Sequence, residues 1–336
     1  AYVKGFLEYK NDSHIQGVIF NQMSPMLYPR MKKLLEEELS VKVLGYVPKV
    51  EDCVIESRHL GLVLPEEIPE LKNRLGKLSE ILEKTLDIDG ILKLAGKAPE
   101  LSIPEFSDLI RKDSAFGYRS SEKVRIGVAD DEAFCFFYAD NLSLLEQMGA
   151  ELVHFSPIHD TELPGDLDGL LLCGGYPELN GKALEENQEM CSSIRKAVEG
   201  GMPCLAECGG FMYLHQEMED MEGNFRKVCG VISGRSFRTP KLTRFGYITL
   251  TEKKDSGLGE IPAHEFHYFD STDCGTDFHA SKPASTRGWD CMHYEGRLMA
   301  GFPHLYYYGN PKVPVHFLKN ALEYKKERRQ KKDAEI

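Results

Sequence analysis

The feature that most narrows the fold is an alternation running through residues 124–214. Short apolar runs of strand length occur at Val124–Ala129 (VRIGVA), Glu151–Phe155, Gly169–Cys173 and Pro203–Glu207, and segments of helical periodicity lie between them at Tyr138–Met148 and Leu184–Glu199. Continuous apolar runs are buried on both faces, and strands joined through helices lie parallel, because a parallel pair needs a crossover of a dozen or more residues. The pattern predicts a doubly wound α/β domain. Sites in such a sheet assemble where the strands end.

Upstream the same grammar recurs. Ile15–Phe20 reads as a strand, Pro29–Leu39 as a helix, and Val41–Val47 as a second strand closed by Pro48. A helix is predicted over Pro65–Leu86, with Leu71, Leu75, Leu78 and Leu82 on one face against that sheet. At about 150 residues per domain, 336 residues accommodate two such units. The polar, proline-broken stretch Ala98–Lys123 holds the boundary. Val228–Ala300 is rich in β-formers and turns, Pro314–Lys325 forms a closing helix, and the KKERRQKK run is a solvated helix end or tail.

Composition excludes several classes. A formal charge of -12 disfavours a scaffold held by nucleic-acid phosphates. Nine cysteines, an odd number without CxxC pairs, fit neither a disulfide framework nor a zinc ribbon and point to a reducing cytoplasm. No apolar run approaches the roughly 20 residues that span a bilayer. The chain opens with AYVKGFLEYK, which has no signal-peptide character and reads as the middle of an amphipathic helix, so a fragment of a longer intracellular enzyme is expected.

The sharpest local signal is MPCLAECGGFMYL, residues 202–214, where an apolar strand meets a helix through small residues. Cys208 sits at that turn, where Ala206, Gly209 and Gly210 clear space and the helix start lowers a thiol pKa and offers amide N–H groups. A second turn, Cys173-Gly174-Gly175-Tyr176-Pro177, follows the neighbouring strand, and its paired glycines let an amide face an oxyanion. A thiol nucleophile also needs a proton partner, and nine histidines follow residue 150. Sequence distance does not choose among them, but His304, between the strand Leu298–Gly301 and the last helix, has the required edge placement.

ADDEAFCFFYADNLSLLEQMGAELVHFSPI, GLLLCGGYPELN, AECGGFMYL, AHEFHYFDST and GFPHLYYYGNP together resemble the glutamine amidotransferase domain of the cobyrinate a,c-diamide synthase family. GVIFN, VLGYVP and ESRHLGLV resemble the last part of that family's ATP-binding synthetase domain, of the dethiobiotin-synthetase-like P-loop group. The resemblance implies a partial P-loop parallel sheet over residues 1–105, a linker over 106–122, a class I amidotransferase-like doubly wound domain over 123–325 and a charged tail over 326–336. It also implies Cys208 as glutaminase nucleophile, His304 as its partner and an oxyanion hole from the amides of Gly175 and Gly209. Ammonia so released would travel inside the protein to displace phosphate from a corrin acyl phosphate made with ATP and Mg²⁺.

Two departures accompany the resemblance. Triad-type amidotransferases carry a glutamate two residues beyond the histidine, where this chain has Tyr306; a Cys-His dyad results, and what orients His304 is left open. No Gly-x-x-x-x-Gly-Lys-[Ser/Thr] cradle occurs, so an N-terminally truncated synthetase portion is expected. Within it, Asn21 and the Tyr46-Val47-Pro48 segment suit an adenine pocket, and Arg58 and His59 suit a carboxylate-rich macrocycle. His264 and His267 have HxxH spacing but no third ligand, so no metal is expected there. Partners on this reading are glutamine and cobyrinate. A Ni-sirohydrochlorin a,c-diamide synthase is the alternative within the class, and a non-catalytic or redox-sensing protein on the same scaffold the alternative outside it. Neither nucleic acid nor membrane is expected as a partner.

Overall fold

The computed structural model describes residues 1–55, 63, 65–102 and 122–334. The chain divides into two compact units, residues 1–103 and 104–336. In the first, helix α1 (Tyr2–Tyr9) precedes β1 (Gly17–Asn21), α2 (Tyr28–Glu38), β2 (Lys42–Val47), α3 (Leu71–Thr85) and α4 (Ile88–Ala95). β1 and β2 pair in parallel from Gly17 against Lys42 to Asn21 against Val47. The helix expected from Pro65 starts only at Leu71. Pro65–Glu67 form a separate 3-10 turn, and Glu70, at φ 54°, leaves the helical region just before the helix begins. Leu71, Leu78 and Leu82 are half-buried while Leu75 stands exposed, so the apolar face is narrower than the leucine spacing predicted.

The second unit is built on β3 (Val124–Ala129), α5 (Ala139–Gln147), β4 (Ala150–Phe155), β5 (Gly169–Leu172), α6 (Gly181–Glu186), α7 (Gln188–Glu199), β6 (Cys204–Glu207) and α8 (Gly209–Tyr213). The single helix expected over 184–199 is two, broken at Asn187, whose side chain accepts from the Met190 amide and thereby caps α7. After α8 come β7 (His215–Glu219), β8 (Phe225–Lys227), β9 (Ile232–Arg238), β10 (Arg244–Glu252), β11 (Glu260–His267), β12 (Phe269–Ser271), β13 (Phe278–Ser281), β14 (Gly288–Cys291), β15 (His293–Glu295), β16 (Leu298–Gly301) and β17 (His304–Leu305). Helix α9 (Lys312–Ala334) closes the chain, and its last turns continue through the charged run.

These strands form three sheets. The central one has the order β15-β16-β6-β5-β3-β4, parallel except for the outer strand β15. From β3 the chain goes first to β4 on one side and then to β5 on the other, which makes a topological switch beside the carboxyl ends of β3 and β5. An antiparallel sheet β14-β13-β10-β11-β17 and a smaller sheet β12-β9-β7-β8 flank it. Burial follows the strand period of two. Leu171 and Leu205 join a core with Val124, Ile126, Val128, α5, α9 and the antiparallel sheet, while Leu170, Leu172, Cys204 and Ala206 join another core with α7 and α8. Beneath α9, the buried Asp168 carboxylate accepts from the Arg125 amide and pairs with Arg328 at 3.0 Å and Lys325 at 3.6 Å, fixing the helix to the sheet edge. Among the described residues, no helix is long and apolar enough to cross a membrane.

Candidate active site

The carboxyl end of β6 runs straight into α8, and Cys208 occupies the hinge with φ 48° and ψ -103°. A side chain rarely adopts that backbone, so the surroundings must hold it. The Cys208 amide donates to Gly301 O at 2.8 Å, tying the elbow to β16, and Cys208 O accepts from the Met212 amide at 2.9 Å. Glycine is required beside it: a Cβ on Gly210 would stand 2.0 Å from Leu172 O, so α8 lies against the β5 backbone as no larger residue would allow.

The glycine turn after β5 approaches the same point. A Cβ on Gly209 would lie 3.1 Å from Gly175 N, and one on Gly174 would lie 3.5 Å from Cys208 Cβ and 2.7 Å from His304 Cε1. Cys208, Gly174, Gly175, Gly209 and His304 thus converge, although they come from three places in the chain. His304 reaches the cluster through a change of sheet. Leaving β16 of the central sheet, the chain turns at Phe302-Pro303 and enters β17 of the antiparallel sheet, where His304 pairs with His264 of β11. Asn141 of α5 secures the segment, donating to Leu305 O at 2.7 Å and accepting from the Tyr307 amide at 2.9 Å.

His304 is buried, with the Phe136 ring edge-on at 4.9 Å and the Glu207 Oε2 3.7 Å from Nδ1. Burial by itself would depress the imidazole, but the negative charge and hydrogen bond of Cys208, with Glu207 behind them, lift it to about 10. Burial pushes the Glu207 carboxyl up, against the pull of the His304 imidazolium. Such a pair of thiol and protonated imidazole, next to clustered backbone amides, can attack a carbonyl carbon, bind the oxyanion and protonate a leaving amine.

Glu207 was missed by reading the sequence. Its signal was a carboxylate in the otherwise apolar strand CLAE, a place where a fully buried parallel strand has no use for one. Tyr306, at the position two beyond the histidine, turns outward and donates its hydroxyl to Asp140 at 3.1 Å. The HxxH pair is split by strand geometry, since residues three apart point to opposite faces. His264 faces the Tyr247 ring at 5.4 Å, whereas His267 stacks on Phe302 at 4.1 Å with Nδ1 2.6 Å from Phe269 O.

In the first unit, Asn21 and Pro48 lie at one edge, where β1 and β2 both end, and the Met23 amide donates to Val47 O at 3.0 Å across it. Asn21 is exposed, and its Oδ1 accepts from the Gln22 amide at 3.0 Å. Arg58 and His59 lie outside the described residues.

Residues 125–311 match the family described as the CobB/CobQ-like glutamine amidotransferase domain. The cobyrinate a,c-diamide synthase of Caldanaerobacter subterraneus subsp. tengcongensis is 37% identical over 315 residues, covering 92% of this chain and 68% of that protein. That of Clostridium tetani is 36% identical over 335 residues, covering 96% and 71%. A crystal structure of a glutamine amidotransferase aligns with 58% of this chain and 98% of its own, at 19% identity and a TM-score of 0.44. The chain belongs to the cobyrinate a,c-diamide synthase family of carbon–nitrogen ligases, with glutamine as nitrogen donor, and carries that family's amidotransferase domain.

Proposed function

We propose that this protein draws ammonia from glutamine at Cys208 and His304 and uses it, with ATP, to amidate the a and c acetate side chains of cobyrinate in cobalamin synthesis. The convergence of a strained elbow thiol, a buried imidazole and the Gly175 and Gly209 backbones at one sheet edge carries the glutamine half of the reading. The Cys208 thiolate attacks the carboxamide carbon, and the oxyanion accepts from the amides of Gly175 and Gly209. His304, protonated at neutral pH, gives its proton to the departing nitrogen. Ammonia leaves, and a thioester remains. Water then adds to the thioester carbonyl with His304 taking its proton, and glutamate departs as the thiolate re-forms.

Cobyrinate as acceptor rests on the names of relatives that match more than nine-tenths of this chain. ATP, with Mg²⁺, would supply the activation that makes a carboxylate oxygen displaceable by ammonia. Asn21 and Pro48 fit the base end of such a nucleotide by their shared edge; the chain contains no Gly-Lys-[Ser/Thr] phosphate cradle, and no phosphoryl step follows from its residues.

The test is glutamate release from glutamine by the purified chain, alone and with cobyrinate, ATP and Mg²⁺, with amide products identified by mass. Cys208→Ala abolishes glutamate release and His304→Ala lowers it by at least roughly 10³-fold. Undiminished release by both variants refutes the reading.

A further inference from the structure

Burying a carboxylate costs free energy that is recovered only through pairing or function. Glu207 is such a group. Only 6% of it is exposed, Oε1 is buried with no hydrogen-bond partner among the described residues, and Oε2 lies 3.7 Å from His304 Nδ1, within ion-pair range but longer than a hydrogen bond. Other ionisable groups around it come from every neighbouring element. Cys173 follows β5, Tyr138 precedes α5, Tyr307 follows β17, and burial first and the Glu207 charge second keep all three protonated and neutral. His264, across from His304 on β11, is pushed down by burial and then by the His304 charge. The imidazolium of His304 is therefore the cation among these groups.

We propose that Glu207 is the positioning residue of the glutaminase, holding His304 by Nδ1 so that Nε2 is presented to the Cys208 sulfur. This deepens the reading above and rests on it. The carboxylate that orients the histidine then comes from the residue immediately before the nucleophile and not from the position two beyond the histidine, where Tyr306 is turned toward Asp140. Three features agree with that role. β6 delivers Glu207 and Cys208 as consecutive residues, so strand direction places one side chain at the imidazole and the other at the substrate. The ring is held edge-on by Phe136, which leaves rotation about its own axis as the freedom a carboxylate must remove. An unsatisfied buried oxygen is a cost to stability, as expected of a group kept for function.

Glu207→Gln, Glu207→Asp, Cys208→Ala and His304→Ala are compared for glutaminase kcat and KM, for Tm, and for the pH titration of the His304 ring followed by NMR. Glu207→Gln lowers kcat by about 10²-fold with KM changed less than about threefold and Tm unchanged or raised, and it moves the His304 titration to lower pH. Glu207→Asp recovers at least about tenfold of the lost kcat, because it restores the charge. Wild-type kcat in Glu207→Gln overturns the inference. So does a kcat loss that Asp fails to recover while the His304 titration stays in place. Should Glu207→Gln not fold, Glu207→Asp decides alone: withdrawing the carboxylate by one methylene lowers kcat by up to about tenfold with KM held if the carboxylate positions the ring, and a wild-type kcat overturns the inference. Full activity in both Cys208→Ala and His304→Ala brings down the underlying site instead, which separates the two failures.

Discussion

Gly174 offers the cleanest probe of the proposed site, because it lies against both Cys208 and His304 and has an ordinary backbone. Its φ is not positive, so alanine is accommodated without backbone strain, and the hydrogen bond from the Phe136 amide to Gly174 O survives. The new methyl would meet His304 Cε1 at 2.7 Å, whereas ordinary contact begins at 3.4 Å, so the ring must retreat by about 0.7 Å. Retreat is obstructed by the Phe136 ring and Glu207. Toward Cys208 Cβ the same methyl sits at 3.5 Å, an ordinary contact, so the thiol stays in place. Misplacement of a catalytic group by about 1 Å costs on the order of 10²-fold in rate. Gly174→Ala should therefore lose about 10²-fold in glutaminase kcat, or ~2.7 kcal/mol of transition-state stabilisation. Initial rates of glutamate release measure this, with circular dichroism and thermal melting reporting the fold and iodoacetamide labelling reporting the Cys208 thiol. A folded Gly174→Ala protein with wild-type kcat would mean that His304 does not work where the structure puts it.

Asn141→Leu should destabilise the second unit by about 2–4 kcal/mol in urea denaturation, since it strands the Leu305 carbonyl and the Tyr307 amide in the interior; activity should fall as well, because those bonds hold the strand that carries His304. The raised pKa of His304 gives the sign of the alkaline limb: the ring is protonated through neutrality and loses its proton as pH rises through about 10. Glutaminase kcat/KM should decline there, and in Glu207→Gln the decline should begin at lower pH; a limb that stays put in the variant contradicts the pairing.

The parallel sheet was legible because burial on both faces leaves an unambiguous mark in VRIGVA, GLLLC and PCLAE. The elbow was legible because steric crowding admits only small residues, and Gly210 against the β5 backbone is the reason in space for a pattern visible in the letters. Element ends were less so. Asn187 splits a helix by capping its second half, and Glu70 delays another by one unusual φ, both local events that periodicity averages away. The charged run at the end of the chain looked like a solvated tail. Part of it is anchored by Asp168, a residue distant in sequence.

Sequence alone determined the α/β architecture of the second unit, the place of Cys208 at a strand end and the glycines around it, because those depend on burial period and on the volume of neighbouring residues. The geometry of His304 belongs to the tertiary structure. It arises when β17 leaves the central sheet and pairs with β11, bringing the imidazole over a carboxylate and a thiol that lie far behind it in the chain. Electrostatic partnership acts through space and leaves no periodicity along the chain, so Glu207 could be read only as an odd charge in an apolar strand until the fold placed a histidine beside it.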